Sequence, residues 1–260
     1  MPTITTTLER GWLTIRLAQP NIRNALTDEM VLELTAELNR AATDVAIRGI
    51  TFHGEGEVFC AGGDLKGFQK TIDADSVASI TDVSKRAGAL FHLINEMPQV
   101  VVMCVHGAAI AGGMGMMAAG DVVITTQDAK FALTETQLGI VPAQIAPLVL
   151  QRVGPATARR LMLTGARFDG EHAAAIGLAD FVVEDATAMM AKEADIRRDV
   201  FRCAPGAVAA TKQLLRHLTD RDKAAVIEHA ADVFAGRLGS DEGREGIASF
   251  IEKRKPEWAE

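Results

Sequence analysis

The sequence predicts an α/β layered fold followed by a purely helical C-terminal region. Three observations predict it. Up to about Val183, short β-branched runs alternate with stretches of helical period, the pattern of a layered α/β core. Val100 to Val105 is an uninterrupted apolar run, as a parallel strand buried on both faces requires. Beyond Val183 only helical patterns occur.

In chain order, Thr3 to Leu8 and Trp12 to Leu17 read as a hairpin turned at Arg10-Gly11, with Leu13, Ile15 and Leu17 alternating with polar residues. Thr27 reads as an N-cap, and Asp28 and Glu29 suit the positive end of the helix it opens. Val31, Leu34, Leu38 and Ala41 give that helix an apolar stripe. Gly49 to His53 is a short strand. Ser76 to Met97 is a long helix with Ile80, Val83, Ala87, Leu90 and Ile94 on one face, ended by Pro98. After the Val100 to Val105 strand come a Gly-rich turn and a small-residue helix, about Gly112 to Ala119. Val122 to Thr125 and Lys130 to Leu133 are further strands. Ala186 to Lys253 reads as three or four helices, punctuated at Pro205-Gly206 and Gly239. We divide the chain into a core, 1–185, and a helical region, 186–260. The latter has too few amphipathic helices to stand alone, so it is expected to pack on the core or on a neighbouring subunit.

Bulk properties narrow the function. A 260-residue chain with 48% hydrophobic and 23% charged residues is long enough for one large domain. A net charge of −7 gives no basic surface for nucleic acid. An anionic ligand would need a local site of helix N-termini, backbone NH groups or a few basic residues. Met1 to Leu17 lacks a basic start and apolar run, and no stretch of about 20 apolar residues occurs. Cys60, Cys104 and Cys203 form no CxxC pair and read as buried reduced thiols, which fits a cytoplasmic location. No His/Cys/Asp/Glu set has metal-ligand spacing, so no metal is expected.

Three segments carry chemistry. Phe59-Cys60-Ala61-Gly62-Gly63-Asp64-Leu65 follows a strand and a Gly54-Glu55-Gly56 turn. Its small residues allow close approach to the backbone, and consecutive NH groups there would hold a developing oxyanion; a plain tight turn is the alternative. Gly107 to Gly115 lies between a buried strand and a helix whose N-terminus favours an anion; close helix-to-strand packing is the alternative. Its glycines do not fit GxGxxG, and no acidic residue follows at the distance a dinucleotide needs. Glu135, directly after an apolar strand, is a candidate general acid or base or else a solvated loop residue. His106 reads as a strand-end support of the glycine loop.

In combination and spacing, FCAGGDL, GAAIAGGMG and FALTETQLGIVP resemble the crotonase (enoyl-CoA hydratase/isomerase) superfamily, and Gly243 to Trp258 resembles its C-terminal helix. PAQIAP at Pro142 to Pro147 and RKPEW at the end are similar to hydratases of branched glutaconyl-CoA thioesters, the isohexenylglutaconyl-CoA hydratases of terpene breakdown first and the methylglutaconyl-CoA hydratases of leucine breakdown next. The resemblance implies a ββα spiral core with a helical trimerisation region, a homotrimer or dimer of trimers, and a substrate in which coenzyme A is a part, with no separate cofactor. It places the oxyanion donors on Gly63 and Gly112 and the acid–base group on Glu135. It places coenzyme A against Arg23, Ala25, Leu26, Ala61, Asp64 and Leu65, with Phe250 and Lys253 reaching from an adjacent subunit. Lys253, Arg254 and Lys255 would form a cationic patch near a 3′-phosphate, or a solvated tail.

One position departs from the family pattern. Typical hydratases carry a second, earlier glutamate, and here it falls on Gly115. Three accounts are open: Glu135 acts alone, Gln137 or Gln144 helps to place the water, or the enzyme is an isomerase that shuttles a proton with one carboxylate. Hydration is preferred because the glutaconyl hydratases share this glycine. The missing side chain is expected to leave room for a branched acyl chain. A non-catalytic acyl-CoA-binding protein is the remaining alternative, against which Glu135 speaks.

Overall fold

The computed structural model describes residues 2–73, 77–217 and 222–259. Strands β1 (Ile4–Glu9) and β2 (Trp12–Leu17) form the expected hairpin, with Ile4 opposite Leu17. Strands β3 (Gly49–Gly54), β4 (Val100–Val105), β6 (Val122–Thr126) and β9 (Phe181–Val183) extend it, all parallel, into a six-stranded sheet ordered β1-β2-β3-β4-β6-β9. Strands β5 (Ala108–Ile110), β7 (Lys130–Ala132) and β8 (Phe168–Asp169) form a second, smaller sheet.

Two cores follow from strand periodicity. Along β4, Val101, Met103 and Val105 join the main core, whereas Val102 and Cys104 point through the sheet to a second cluster with Trp12, Ile124 and Met189. The continuous apolar run therefore serves two faces. The main core is covered by α1 (Asp28–Thr43) and α3 (Val77–Glu96). Thr27 caps α1 by accepting from the Met30 NH at 3.2 Å, and Val31, Leu34, Leu38 and Ala41 are buried beneath it. The second face is covered by α7 (Ala186–Phe201), whose Met189 enters the cluster.

Helix α3 departs from its expected face in one respect. Leu90 and Ile94 are buried, but Ile80 is exposed and Val83 and Ala87 are only half-buried. The N-terminal half overhangs the core instead of sitting on it. Ser76, the expected first residue, lies outside the described residues. A helix not read from the sequence, α2 (Leu65–Asp73), packs against α3 and leaves Leu65, Phe68 and Ile72 exposed.

The small-residue helix α4 (Gly112–Ala118) is central, and α5 (Ala146–Thr164) packs on it. Beyond α6 (Gly170–Ala175) and α7, the chain continues as α8 (Pro205–His217), α9 (Lys223–Leu238) and α10 (Asp241–Ile251). Helix α9 has no buried residue, and Ile227, Phe234, Ile247, Phe250 and Ile251 on α9 and α10 are exposed. No helix among the described residues is long and apolar enough to cross a membrane.

Candidate active site

The segments singled out by sequence lie side by side, joined by backbone hydrogen bonds. Ala61 NH donates to Arg23 O at 2.9 Å, and Leu26 NH to Gly62 O at 2.8 Å. Cys60 NH donates to Ala108 O and Ile110 NH to Cys60 O, both at 3.1 Å. Ala111 NH donates to Ala132 O at 2.9 Å. Residues 23–26, 60–63, 108–111 and 130–132 thus form one layer, continuous with the smaller sheet. The ends of these segments carry Gly63, Gly112 and, three residues past β7, Glu135.

Local backbone geometry aims the first two. Gly62 has φ +101°, and a side chain there would stand 2.8 Å from Ile110 O, so only glycine suits this approach of the two loops. A β-carbon added at Gly112 would lie 3.6 Å from the Gly63 nitrogen, so the two glycines adjoin. Ala111 holds φ 48° and ψ −119°, a region that L-residues rarely occupy, and so turns the chain into α4. Among the described residues, neither the Gly63 nor the Gly112 NH is given to a protein acceptor. Such a pair is a donor set for an oxyanion.

Glu135 opens a short 3-10 turn, Glu135–Leu138, that leads toward α5. It is buried, at 8% exposure, so it is not a solvated loop residue. Its Oε2 has no hydrogen-bond partner among the described residues. Burial pushes the carboxyl above its ordinary range, opposed by a hydrogen bond from its own backbone NH. A carboxylate in this condition is a ready proton acceptor.

Gly115 does not leave the expected room. A β-carbon there would overlap Ile145 Cγ2 and stand 2.6 Å from Ile145 Cβ. Ile145 belongs to PAQIAP and is itself buried. The two glutamines considered as water-placing groups are engaged elsewhere. Gln137 Nε2 donates to Gly165 O at 3.1 Å, and Gln144 Nε2 to Ser84 Oγ at 3.0 Å. With glycine at position 115, Glu135 is the sequence candidate that remains for proton transfer.

The remaining sequence candidates separate into two groups. Arg23, Ala25, Leu26, Ala61, Asp64 and Leu65 are brought together by the layer, with Leu26 paired to Gly63. Asp64 also caps α2, its Oδ1 accepting from the Lys66 NH at 3.1 Å. Phe250 and Lys253 lie exposed at the end of α10, separate from this layer within one chain. The basic patch is smaller than expected, because Arg254 binds Glu245 through Nη2 at 2.8 Å and also pairs with Glu252.

Other residues were misread or missed in the sequence. Asn24 is fully buried with φ 53°; its Nδ2 donates to Glu55 O and Val58 O at 2.9 Å, and its Oδ1 accepts from the Gln19 NH. It pins the 23–26 segment, and tolerance of left-handed backbone by Asn was the available signal. His106 follows β4 directly, but its side chain reaches the turn after β3 instead of the glycine loop, with Nε2 2.9 Å from Gly56 O. Cys60 and Cys104 are buried, but Cys203 is exposed, in the bend before α8. Burial pushes the Cys60 thiol up to about 12.

Sequence spacing also hid a buried cluster. His53, Cys104 and Glu193, from β3, β4 and α7, bring potential ligand atoms within 4.8 Å of one another. Burial pushes the Glu193 carboxyl up, but hydrogen bonds from His53, Thr51 and Arg197 outweigh it and hold it at about 2. Arg197 Nε donates to Glu193 at 3.0 Å, so the carboxylate already has its counter-charge.

The fold and site define a class: an α/β protein whose adjoining loops carry two backbone NH groups without a protein acceptor among the described residues and whose interior holds a buried, partly unpartnered carboxylate. Residues 7–260 match the family described as enoyl-CoA hydratase/isomerase, and the chain belongs to that family. It is similar in structure to Pseudomonas aeruginosa AtuE, with 40% identity and TM-score 0.97 over 99% of this chain and 100% of that one. It is 30% identical to a "Probable enoyl-CoA hydratase" of Bacillus subtilis, covering 90% of each chain. It is also 30% identical to the mitochondrial Delta(3,5)-Delta(2,4)-dienoyl-CoA isomerase of Dictyostelium discoideum, over 92% of this chain and 85% of that one. The fold is the crotonase fold expected from the sequence.

Proposed function

We propose that the chain is a hydratase adding water to a branched 2-enoyl-CoA of the glutaconyl type. The buried Glu135 carboxylate, with one oxygen unpartnered, carries the reading. Glu135 takes a proton from water as the oxygen adds to the β-carbon. The electron pair moves to the thioester oxygen, where the Gly63 and Gly112 NH groups stabilise the enolate. Glu135 then returns the proton to the α-carbon, and the balance is one water added. Removing one such donor typically costs roughly 3 kcal/mol of transition-state stabilisation. The chemistry needs neither a metal nor a separate cofactor.

Coenzyme A lies along Arg23, Ala25, Leu26, Ala61, Asp64 and Leu65, while Phe250 and Lys253 reach the nucleotide bound by an adjacent subunit. The exposed apolar residues of α9 and α10 support a homotrimer or dimer of trimers. We place the enzyme in the cytoplasm, in terpene or leucine breakdown, with 1–185 as the acyl-CoA-binding core and 186–260 as the assembly region.

A second reading is an enoyl-CoA isomerase, in which Glu135 moves one proton between C2 and C4. The closed position at Gly115 favours it, because nothing there would help to hold a water. Incubation in heavy-oxygen water with crotonyl-, 3-methylglutaconyl- and isohexenylglutaconyl-CoA separates the two. Hydration puts label into a 3-hydroxyacyl product; a shifted double bond without added mass establishes isomerisation and overturns the first reading.

A further inference from the structure

We propose that Ile145 is a specificity-determining residue: its side chain takes the place of a second carboxylate beside Glu135 and forms an apolar wall for an alkyl substituent on the substrate's β-carbon. The inference rests on the reading of Glu135 as the acid–base group.

Within 135–145, only Glu135 and Ile145 are buried. One loop therefore inserts one carboxylate and one branched hydrocarbon into the interior. Ile145 overlaps the position of a Gly115 side chain, and Gly115 NH donates to Ala111 O at 3.1 Å, in the turn that sets Gly112. The isoleucine thus stands one helical turn from the Gly112 donor.

It is also held in place. Gln144, its neighbour, is tied to Ser84 of α3, and Ile145 O accepts from the Val149 NH at 3.1 Å as α5 begins. Branching at Cβ leaves the side chain stiff, and the atoms closest to position 115 are near its backbone, so rotation does not clear the space. Hydrocarbon there orders no water and offers contact only to an apolar group. The matching substrate carries an alkyl branch, or the branch point of a longer chain, at the β-carbon, and reacts with Glu135 alone.

Ile145→Ala, Gly115→Glu and the pair Gly115→Glu with Ile145→Ala test this, with kcat and KM measured for crotonyl-CoA and 3-methylcrotonyl-CoA and folding checked by thermal melting. Ile145→Ala is expected to lower the branched-over-linear kcat/KM ratio by about tenfold, the scale of a lost methylene contact or more. Gly115→Glu alone is expected to melt lower and lose activity, and the pair to recover the melt and exceed Ile145→Ala on crotonyl-CoA. An unchanged ratio in Ile145→Ala, or Gly115→Glu as stable and active as the parent, overturns the inference. Glu135→Gln is the control. If it keeps full turnover, the reading of the site fails and this inference with it; if it is inactive while the ratio stays unchanged, this inference fails alone.

Discussion

Ionising Glu135 works against folding. Its carboxyl is raised above the ordinary 4.5 by burial, so the folded chain binds that proton more tightly than the unfolded one. The stability contributed by its protonated form is full below the unfolded value and is lost as pH rises through the folded one. Glu135→Gln removes the titration. The variant is therefore expected to gain stability over the parent as pH rises from about 4 to about 8, read from urea unfolding at both ends. Under the proposed mechanism the same substitution removes the proton acceptor, so turnover should fall by at least about 100-fold while coenzyme A affinity is kept. For the parent, the acid limb of kcat/KM should lie above the ordinary carboxylate range. An acid limb at or below 4.5 would exclude Glu135 as the base. Sequence alone located this residue but could not show its burial, because Oε2 is enclosed by the fold and not by its chain neighbours.

At the scale of elements, the turn from β5 into α4 carries strain in the right place. Ala111 sits at φ 48° and ψ −119°, with its NH fixed to Ala132 and its carbonyl accepting from Met114 and Gly115. Glycine adopts such angles without the Cβ penalty. Ala111→Gly is expected to raise stability by about 1 kcal/mol, and Ala111→Val to lower it by more than that, both by equilibrium unfolding. Strands and caps were largely legible: Thr27, the β2 alternation and the Val100–Val105 run each state their role locally. The strand at 130–132 was legible, but the attachment of 23–26 and 60–63 to the smaller sheet was not. They join it through single bridges, Leu26 to Gly63 and Cys60 to Ala109, which have neither the length nor the period of strands. The filling of Gly115 by Ile145 was hidden for the same reason, since 30 residues separate the partners. A glycine in sequence reads as space, and only packing shows that the space is taken.

For the whole molecule, the buried Glu193 joins the helical region to the core. Helix α7 lies on the outer face of the six-stranded sheet, and its Glu193 carboxylate is met by residues of β3 and of α7 itself. Trp12 Nε1 donates to Thr51 Oγ1 at 2.8 Å; Thr51 and His53 bind Glu193; Arg197 spans Glu193 and Thr14. The guanidinium also lies 5.1 Å from the Trp12 ring centre. Thr51, His53 and Arg197 converge on the one carboxylate. Its folded pKa, about 2, is below the ordinary 4.5, so the stability it supplies is present above the unfolded value and is lost as pH falls toward the folded one. Glu193→Gln keeps the shape but removes the charge beside Arg197. Breaking a buried pair from one side costs about 3–5 kcal/mol. We expect that loss at neutral pH, measured by chemical unfolding, with the parent and variant converging as acid protonates Glu193 in the parent. A variant as stable as the parent at neutral pH would mean that the pair is neutral on balance and that apolar packing of Met189 and its neighbours alone holds α7 to the sheet.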